Sequence, residues 1–362
     1  MNGKKFMVLT GAAAVAIGAA IALTTHRSNQ QTDLGGTTVF ADLKGALGEV
    51  EEIRFSKGDG SSTTLHKDAG GWIVVERQYP ADAARVRELA LALANLKIVE
   101  RKTSDPANYA KLGVEAPDTP TATSTLVEVV AGKKTWALIV GKGADGRAVY
   151  VRKPTEAVSV LAQPLIAPDP DQKRWIDRLV TDIPGSRVHD VSVKTATGPA
   201  YLLSRADPGV ADLTLSPIPK GRAAASSMSL NGQADALTAF HFDDVRAVPE
   251  GATAPADVAT YRTFDGQVIE FTGHREGEKA FVRIAARRDA DLAAKFPEPV
   301  AAPAAAATPV VTPVVTPAVA PKDETVEKLA RRTKGFEYEI PAYKYEAIFK
   351  KQEDLLEKPS AK

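Results

Sequence analysis

The first pattern along the chain is a long uncharged run. Residues 6–23 read FMVLTGAAAVAIGAAIAL and follow Lys4 and Lys5. The run approaches the ~20 residues that a helix needs to span a bilayer. Lysines on the short amino-terminal side predict that this end stays in the cytoplasm and that the following chain lies outside it. We therefore expect a cytoplasmic tip over 1–5, a transmembrane anchor over 6–23 and a polar tether over 24–38.

Small residues bear on how this run is processed and packed. Ala20-Ile21-Ala22 fits a signal-peptide cleavage site, so a cleaved signal peptide is the alternative to an uncleaved anchor. Ala12, Ala16 and Ala20 form a row at a spacing of four, which allows close approach of another transmembrane helix. This row is the candidate anchor-packing site, although an alanine-rich segment also produces such spacing by chance. In both cases the bulk of the chain is expected outside the cytoplasm.

Beyond the tether, short alternating stretches predict strands, and one longer stretch predicts a helix over 81–96. The apolar residues of that helix recur at helical spacing: Val86, Leu89, Leu93 and Leu96. Strand meanders with interposed helices indicate an α+β fold with mainly antiparallel sheet. The strands predicted in this half of the chain cover 51–55, 62–66, 72–75, 124–130, 135–140, 148–152 and 158–161.

Helix-capping residues predict two shorter helices in the same half. Asp105-Pro106 provides an N-cap followed by proline at the first helical position, and Gly113 provides a stop. Asp169-Pro170 provides the same beginning for a helix over about 170–180.

The second half repeats motifs of the first half in the same order. Apolar residues of GEVEEIRF reappear in SRVHDVSV 138 residues further on, and GVEAP at 113–117 reappears as GATAP at 251–255. Tyr150-Val151-Arg152 corresponds to Phe281-Val282-Arg283 at an offset of 131, after a small deletion. We therefore expect two tandem copies of one mainly antiparallel sheet-plus-helix unit, over 39–184 and 185–296. In the second copy, a helix is predicted from an Asn231 cap to Val245.

A proline- and alanine-rich stretch interrupts the second copy. Residues 297–321 carry a proline every four residues near their end, which is typical of an extended spacer. Beyond it, Phe336, Tyr338 and Ile340 alternate as a strand, and Pro341 stands where a helix begins. We expect residues 322–362 to complete the second copy; the alternative is a tethered arm that grips a partner.

Composition excludes several classes of chemistry. The chain has no cysteine, which excludes thiolate catalysis, cysteine-ligated metals and disulfides. Its five histidines are scattered, so neither a metal nor another cofactor is expected, and its net charge of +1 does not favour nucleic-acid binding.

The motifs that resemble catalytic or nucleotide sites have simpler interpretations. Residues 141–146 fit G-x-G-x-x-G, but the residues that follow alternate as a strand, so a hairpin turn is predicted instead of a dinucleotide site. His189 and Asp190 are strand neighbours and should point to opposite faces without forming a dyad. His241 is expected at the edge of the core on the predicted second-copy helix. The acidic clusters, Glu49/Glu51/Glu52 and Asp243/Asp244, are expected to be solvated.

Several segments together resemble a bacterial family of unknown function found beside gliding-motility-type auxiliary ABC transporters. The most specific is YPADAARVRELALALANLKIVERKTSDPANYAKLGV at 79–114; GGWIV, TWALIVGK, AVYVRKP, DIPGSRVHDVSV and EYEIPAYKYEAIF add to it. The resemblance covers roughly 40–290 and 335–357, and the spacer at 297–321 departs from it. It implies a membrane-anchored envelope protein that is accessory to an exporter-like complex, and it supplies no catalytic residues.

These observations favour a non-enzymatic accessory or scaffold subunit, anchored in the inner membrane and in contact with ABC permease and ATPase subunits. A periplasmic module that binds a lipid or glycan between the two copies is the second hypothesis. An envelope hydrolase is the third, because carboxylates distant in sequence can converge in a fold.

Overall fold

A computed structural model describes residues 36–251, 257–296 and 326–358. The chain divides into two compact units, the first ending at Asp177 and the second beginning at Arg178. The sequence placed this boundary at 184/185. The observed division is earlier because residues 179–181 form a strand that pairs within the second unit.

Unit 1 is built on one antiparallel sheet of nine strands. Their order across the sheet is β4-β3-β2-β1-β6-β7-β8-β9-β5. The strands are β1 (Glu52–Lys57), β2 (Ser62–Asp68), β3 (Gly71–Val74), β4 (Tyr79–Pro80), β5 (Lys97–Arg101), β6 (Thr125–Ala131), β7 (Lys134–Ala144), β8 (Ala148–Arg152) and β9 (Val160–Gln163).

Three helices accompany this sheet: α1 (Leu43–Ala46), α2 (Ala83–Ala94) and α3 (Tyr109–Leu112). The helix predicted over 81–96 is confirmed as α2, and the carboxylate of Asp82 caps it by accepting hydrogen bonds from two backbone N–H groups. The predicted apolar stripe is buried: Val86, Leu89, Leu93 and Leu96.

The predicted cap signals around α3 are also confirmed. The side chain of Asp105 caps a short 3₁₀ turn at Pro106–Asn108, and α3 follows directly. Gly113 ends α3 in the left-handed conformation, with φ of 69°, which a residue with a side chain rarely adopts.

Unit 2 carries an antiparallel sheet of eight strands in the order β13-β12-β11-β16-β17-β18-β19-β15, and a separate pair formed by β10 and β14. The strands are β10 (Leu179–Thr181), β11 (Val188–Lys194), β12 (Tyr201–Ser204), β13 (Thr214–Ser216), β14 (Phe240–His241), β15 (Asp244–Ala247), β16 (Asp257–Thr263), β17 (Gln267–Glu276), β18 (Lys279–Arg288) and β19 (Phe336–Ile340).

The helices of unit 2 are short: α4 (Ser227–Asn231), α5 (Ala290–Lys295), α6 (Val326–Thr333) and α7 (Ala342–Ile348). Close packing of α7 on β17 depends on Gly273, because a Cβ there would collide with the rings of Phe349 and Tyr345. The α+β, mainly antiparallel fold class is thus confirmed.

Two predicted helices are wrong. Instead of a helix from Asn231 to Val245, α4 ends at Asn231, a 3₁₀ turn covers Ala234–Leu237, and β14 and β15 follow. Phe240 and Phe242 are both buried at strand spacing. Instead of a helix over 170–180, a 3₁₀ turn capped by Asp171 covers Gln172–Arg174, and the chain then extends into β10.

The strand order of the two sheets agrees position by position. In unit 1 the run is β3-β2-β1-β6-β7-β8-β9-β5, and in unit 2 it is β13-β12-β11-β16-β17-β18-β19-β15. Residues that correspond at the offset of 138 are buried in both sheets. They are Val50, Ile53 and Phe55 in unit 1 and Val188, Val191 and Val193 in unit 2.

Each unit also begins in a similar way. In unit 1, Val39 N–H donates to the Leu96 carbonyl and Ile98 N–H to the Thr37 carbonyl, so the entering chain pairs with the segment that leads into β5. In unit 2, β10 pairs with β14, which precedes β15. In both units, therefore, the first segment of the chain pairs with the segment that follows the helical region.

The units differ most in one connection. In unit 1, β8 and β9 are joined by residues 153–159, whereas in unit 2 β18 and β19 are joined by α5, residues 296–325 and α6. After this long connection β19 returns to the sheet between β18 and β15.

None of the helices in the described part of the chain is long and apolar enough to cross a membrane. The anchor predicted over 6–23, with its candidate packing residues Ala12, Ala16 and Ala20, lies outside the described residues, as does the spacer at 297–321.

Candidate functional site

A cluster of charged side chains in unit 2 surrounds one fully buried carboxylate. Glu337 lies on β19 and is 0% exposed. The strand register places it opposite Arg246 of β15, and Arg283 of β18 directly follows the last registered pair, Val282 with Tyr338. Glu337 Oε1 accepts from Arg246 Nε at 2.7 Å, and its Oε2 accepts from Arg283 Nε at 3.2 Å. Two guanidinium groups therefore compensate the charge that burial would otherwise make costly.

The cluster continues from Arg246 to the end of β17. A terminal nitrogen of Arg246 donates to Glu276 Oε1 at 2.6 Å, and His274 Nε2 lies 3.2 Å from the same oxygen. The Arg246 guanidinium lies over the ring of Phe281 at 4.0 Å, and the His274 ring stacks on Phe281 at 5.5 Å. The side chains form one connected network.

The network shifts the pKa of two of its members. The hydrogen bond from Arg246, followed by the contact with His274, lowers the pKa of Glu276. Burial by itself would lower the pKa of Arg246, but its bonds to Glu276 and Glu337 more than reverse this and raise it. Both shifts favour the charged forms, as expected for an ion-pair network.

His274, Glu276 and Glu337 bring potential metal ligands within 4.8 Å of one another. Arg246 nevertheless donates to an oxygen of both glutamates, so a guanidinium already occupies the position that a metal ion would need. The two arginines and two glutamates also balance in charge. The geometry therefore fits an ion-pair network better than a metal centre.

A second cluster contradicts the expectation for His189 and Asp190. His189 Nδ1 lies 2.5 Å from Asp190 Oδ2, and Asp190 Oδ1 accepts from Arg262 Nε at 2.9 Å. The register between β11 and β16 shifts between Val188 and Asp190, so simple alternation does not hold there. Because Asp190 is only 1% exposed, its two bonds satisfy a buried carboxylate.

The surroundings of His189 are aromatic. Its ring meets Phe264 edge-on at 5.2 Å and Phe296 at 5.6 Å. A carboxylate that orients an imidazole is one component of acid–base catalysis. Among the residues that the structure describes, no hydroxyl side chain hydrogen-bonds to this imidazole, and the contacts fit a packed ion pair.

Unit 1 has counterparts of both clusters at matching strand positions. Glu52 corresponds to Asp190 at the offset of 138, and its carboxylate lies 3.5 Å from His66 Nδ1 on β2 and also pairs with Arg54. Lys102 directly follows β5, and its backbone N–H donates to the Ser159 carbonyl, so it has the place beside Ser159 that Arg246 has beside Glu337. Its Nζ lies 6.0 Å from the ring centre of Tyr150. Tyr150 corresponds to Phe281, so both units place a cation over an aromatic ring at the same point.

The remaining sequence candidates lie apart from these clusters. His241 is exposed on strand β14, where its Nδ1 is 2.6 Å from the Ala239 carbonyl, so its prediction as a helical core-edge residue is wrong. Residues 141–144 belong to β7, so the hairpin turn predicted over 141–146 is shorter than expected, and β8 follows it as the predicted strand. Glu49 and Glu51 are exposed, and Asp243 is exposed and pairs with Arg178.

Unit 1 has an open groove of about 520 Å³ beside the β1–β2 turn. Its side chains carry both signs of charge, from Lys57 and Arg77 and from Asp169 and Asp171. Unit 2 has a smaller pocket of about 140 Å³ beside Lys344. Burial lowers the pKa of Lys344, whose Nζ donates to the His241 carbonyl at 2.8 Å.

The described residues thus form two α+β units with corresponding strand orders. Within these units, buried charged side chains form ion pairs. Residues 72–262 match the model of a family described as a domain of unknown function (DUF4340), and the chain belongs to that family. The match agrees with the expected family of unknown function and says nothing of an anchor or of neighbouring transporters. No curated protein and no solved structure matches the chain.

Proposed function

We propose that this protein is a membrane-anchored accessory or scaffold subunit of an ABC-transporter-type envelope complex. Residues 6–23 hold it in the bacterial inner membrane, and both units lie in the periplasm. The observation that carries the proposal is the uncharged run behind Lys4 and Lys5, taken with the family resemblance centred on 79–114.

The two units are copies of one ancestral unit, fused in tandem. Three independent features support this: the shared strand order, the buried residues at the offset of 138, and the cation over an aromatic ring in each sheet. Sequence divergence after the duplication gives the two copies different surfaces on one chain. Two different surfaces suit a subunit that holds components of an assembly together.

The protein acts by binding and does not perform catalysis. In support, Asp190 and Glu337, the most buried carboxylates among the described residues, are each held by two cationic or histidine side chains. A carboxylate in such a network stabilises the fold, whereas a general acid or base must exchange its proton with a substrate.

The test is purification of the full chain, with a C-terminal affinity tag, from native membranes in mild detergent. Mass spectrometry of the eluate should recover an ABC permease and ATPase in stoichiometric amounts. Ala16→Ile on the candidate packing row should reduce this recovery. Ala14→Ile is the matched control, because two residues of separation place it on the opposite side of a helix.

Two results would contradict the proposal. Recovery of the chain alone, with its amino terminus intact, would exclude a stable transporter complex and favour a ligand-binding module, to be pursued through lipids or glycans that co-purify. An amino terminus that begins after Ala22 would show cleavage and exclude the anchor.

A further inference from the structure

The connection that distinguishes unit 2 from unit 1 ends in a basic helix. Helix α6 is amphipathic, with Val326, Leu329 and Thr333 buried where it packs along β18. Its opposite side and the turn after it expose Lys328, Arg331 and Lys334. The apolar side is already used by the fold, so only the charged side is available to a partner.

These cations form no ion pair with the residues that the structure describes. Among the described residues, no acidic side chain pairs with Lys328, Arg331 or Lys334. Strand β18, against which the helix packs, ends in two further exposed arginines, Arg287 and Arg288, which likewise lack a carboxylate partner in the described part of the chain. A net charge of only +1 for the whole chain makes this local excess distinctive.

The basic helix also has no counterpart in unit 1. Unit 1 joins the corresponding strands β8 and β9 with residues 153–159 and needs no helix there. An element added to one copy, whose exposed charges are three cations against one acid, Glu327, is best explained by an interaction outside the unit.

We propose that α6, with Arg287 and Arg288, binds the anionic phospholipid surface of the membrane that holds the chain. This inference rests on the proposed anchor, which keeps the surface close to the bilayer and raises its effective concentration. A basic amphipathic helix is typical of membrane-surface binding, and each cation near an anionic bilayer strengthens it. Because the apolar side is buried, attachment is electrostatic, without insertion, and therefore salt-sensitive.

The experiment uses the full chain reconstituted through its anchor into two kinds of vesicle. One contains phosphatidylcholine alone, and the other contains equal amounts of phosphatidylcholine and phosphatidylglycerol. Hydrogen–deuterium exchange is followed for the peptide that covers Val326–Gly335. We expect slower exchange in the anionic vesicles, and we expect ~1 M salt to abolish the difference because it shortens the Debye length to ~3 Å.

A triple variant and a matched control assign the effect to this surface. Lys328→Gln/Arg331→Gln/Lys334→Gln should lower the surface-bound fraction roughly 100-fold and remove the difference between vesicles. The control, Lys67→Gln/Arg87→Gln/Lys133→Gln, removes three exposed cations of unit 1 that also form no ion pair with the residues that the structure describes. In this control, exchange should still be slower in the anionic vesicles.

Failure of this inference can be distinguished from failure of the proposed function. A chain that survives an alkaline carbonate wash, yet exchanges equally in both vesicles, would contradict lipid binding and leave the anchor standing. Slower exchange seen only in native membranes would also contradict it, in favour of an acidic protein partner. A chain removed by the wash would contradict the anchor and, with it, both proposals.

Discussion

Unit 1 and unit 2 use the same strand order but place different chemistry at one matching buried position. Continued by one residue beyond the last paired positions, the register of β8 and β9 brings Ser159 opposite Arg152, and that of β18 and β19 brings Glu337 opposite Arg283. Ser159 Oγ donates to the Thr103 carbonyl at 2.8 Å, and Arg152 donates to backbone carbonyls such as that of Val114. In unit 2 the corresponding groups form ion pairs.

The comparison shows that the sheet determines which buried position holds a polar side chain that needs a partner. It does not determine whether that partner is a backbone carbonyl or a charged side chain. A neutral hydroxyl can use a backbone carbonyl, whereas a buried carboxylate needs cations from neighbouring strands. Unit 2 supplies them from β15 and β18. Stability in unit 2 should therefore depend on charge at positions where stability in unit 1 depends on single hydrogen bonds.

The largest effect is expected in the helical layer of unit 1, where a single long helix stands in place of the short helices of unit 2. Leu93→Asp puts a charge at a position that is 1% exposed, and it should destabilise unit 1 by at least about 4 kcal/mol. Leu91→Asp, at a position 45% exposed, should have little effect. Urea unfolding followed by circular dichroism measures both; equal stability of the two variants would refute the helix register.

The next effect tests the matching position directly. Glu337→Gln leaves Arg246 and Arg283 without their buried counter-charge and should cost about 2–4 kcal/mol, reduced from the fully buried case because both arginines are partly exposed. Ser159→Ala removes one hydrogen bond and should cost about 1 kcal/mol. Denaturant titration of both variants gives the comparison. A Glu337 variant no less stable than the Ser159 variant would remove the electrostatic distinction between the units.

A smaller contrast is expected at the positions of Asp190 and Glu52. Asp190→Asn removes a charge that is 1% exposed and holds both His189 and Arg262, so it should cost about 2 kcal/mol. Glu52→Gln affects a more exposed pair and should cost less than about 1 kcal/mol. Thermal unfolding ranks the two; the reverse order would contradict the assignment of Asp190 as a structural ion-pair residue.

The cation–aromatic contacts should differ by a few tenths of a kcal/mol. Phe281→Leu removes a ring 4.0 Å from the Arg246 guanidinium, and Tyr150→Leu removes one 6.0 Å from Lys102 Nζ. Double-mutant cycles with Arg246→Gln and Lys102→Gln isolate the two interactions. We expect a coupling of about 0.5–1 kcal/mol for the first pair and less for the second. Equal coupling energies in the two units would contradict the expectation that the shorter cation–ring distance gives the stronger interaction.

The smallest effect concerns the loss of stability at acidic pH. Because Arg246 lowers the pKa of Glu276 in the folded protein, this group contributes stability above its unfolded pKa of about 4.3 and loses it as pH falls through the lower folded pKa. Glu276→Gln should therefore flatten the loss of Tm below about pH 4.3. In unit 1, Asp42→Asn provides the parallel case, since a hydrogen bond from Trp136 lowers the pKa of Asp42. An unchanged acid limb in both variants would contradict these shifts.

Local signals in the sequence predicted much of the fold. The stripe from Val86 to Leu96 defined α2, and Asp105 with Gly113 defined the ends of the next helical segment, because caps and helical spacing depend only on neighbouring residues. Motifs that recur at the offset of 138 pointed to the same strands that occupy matching places in the two sheets.

What the sequence did not predict depends on contacts between distant residues. Leu237, Phe240 and Val245 permit a helical interpretation by spacing alone, yet pairing with β10 and β19 makes β14 and β15 strands. The irregular pairing of β11 with β16 brought His189 to Asp190, and no local signal marks it. The glutamate–arginine network could have been suspected only from the correspondence of Arg152 with Arg283, because its members come from four strands.

The central structural claim is that corresponding strands pair in the same register within each unit, although a long connection precedes β19 in unit 2. The chain has no native cysteine, so engineered cysteine pairs test this register directly. Tyr150→Cys/Leu161→Cys in unit 1 and Phe281→Cys/Glu339→Cys in unit 2 join residues that face each other across matching strands. Under mild oxidation, both full-chain variants should form an intramolecular disulfide, and Phe281→Cys/Ile340→Cys, one residue out of register, should not. A disulfide in unit 1 with none at 281 and 339 would contradict the claim that the two units share one fold.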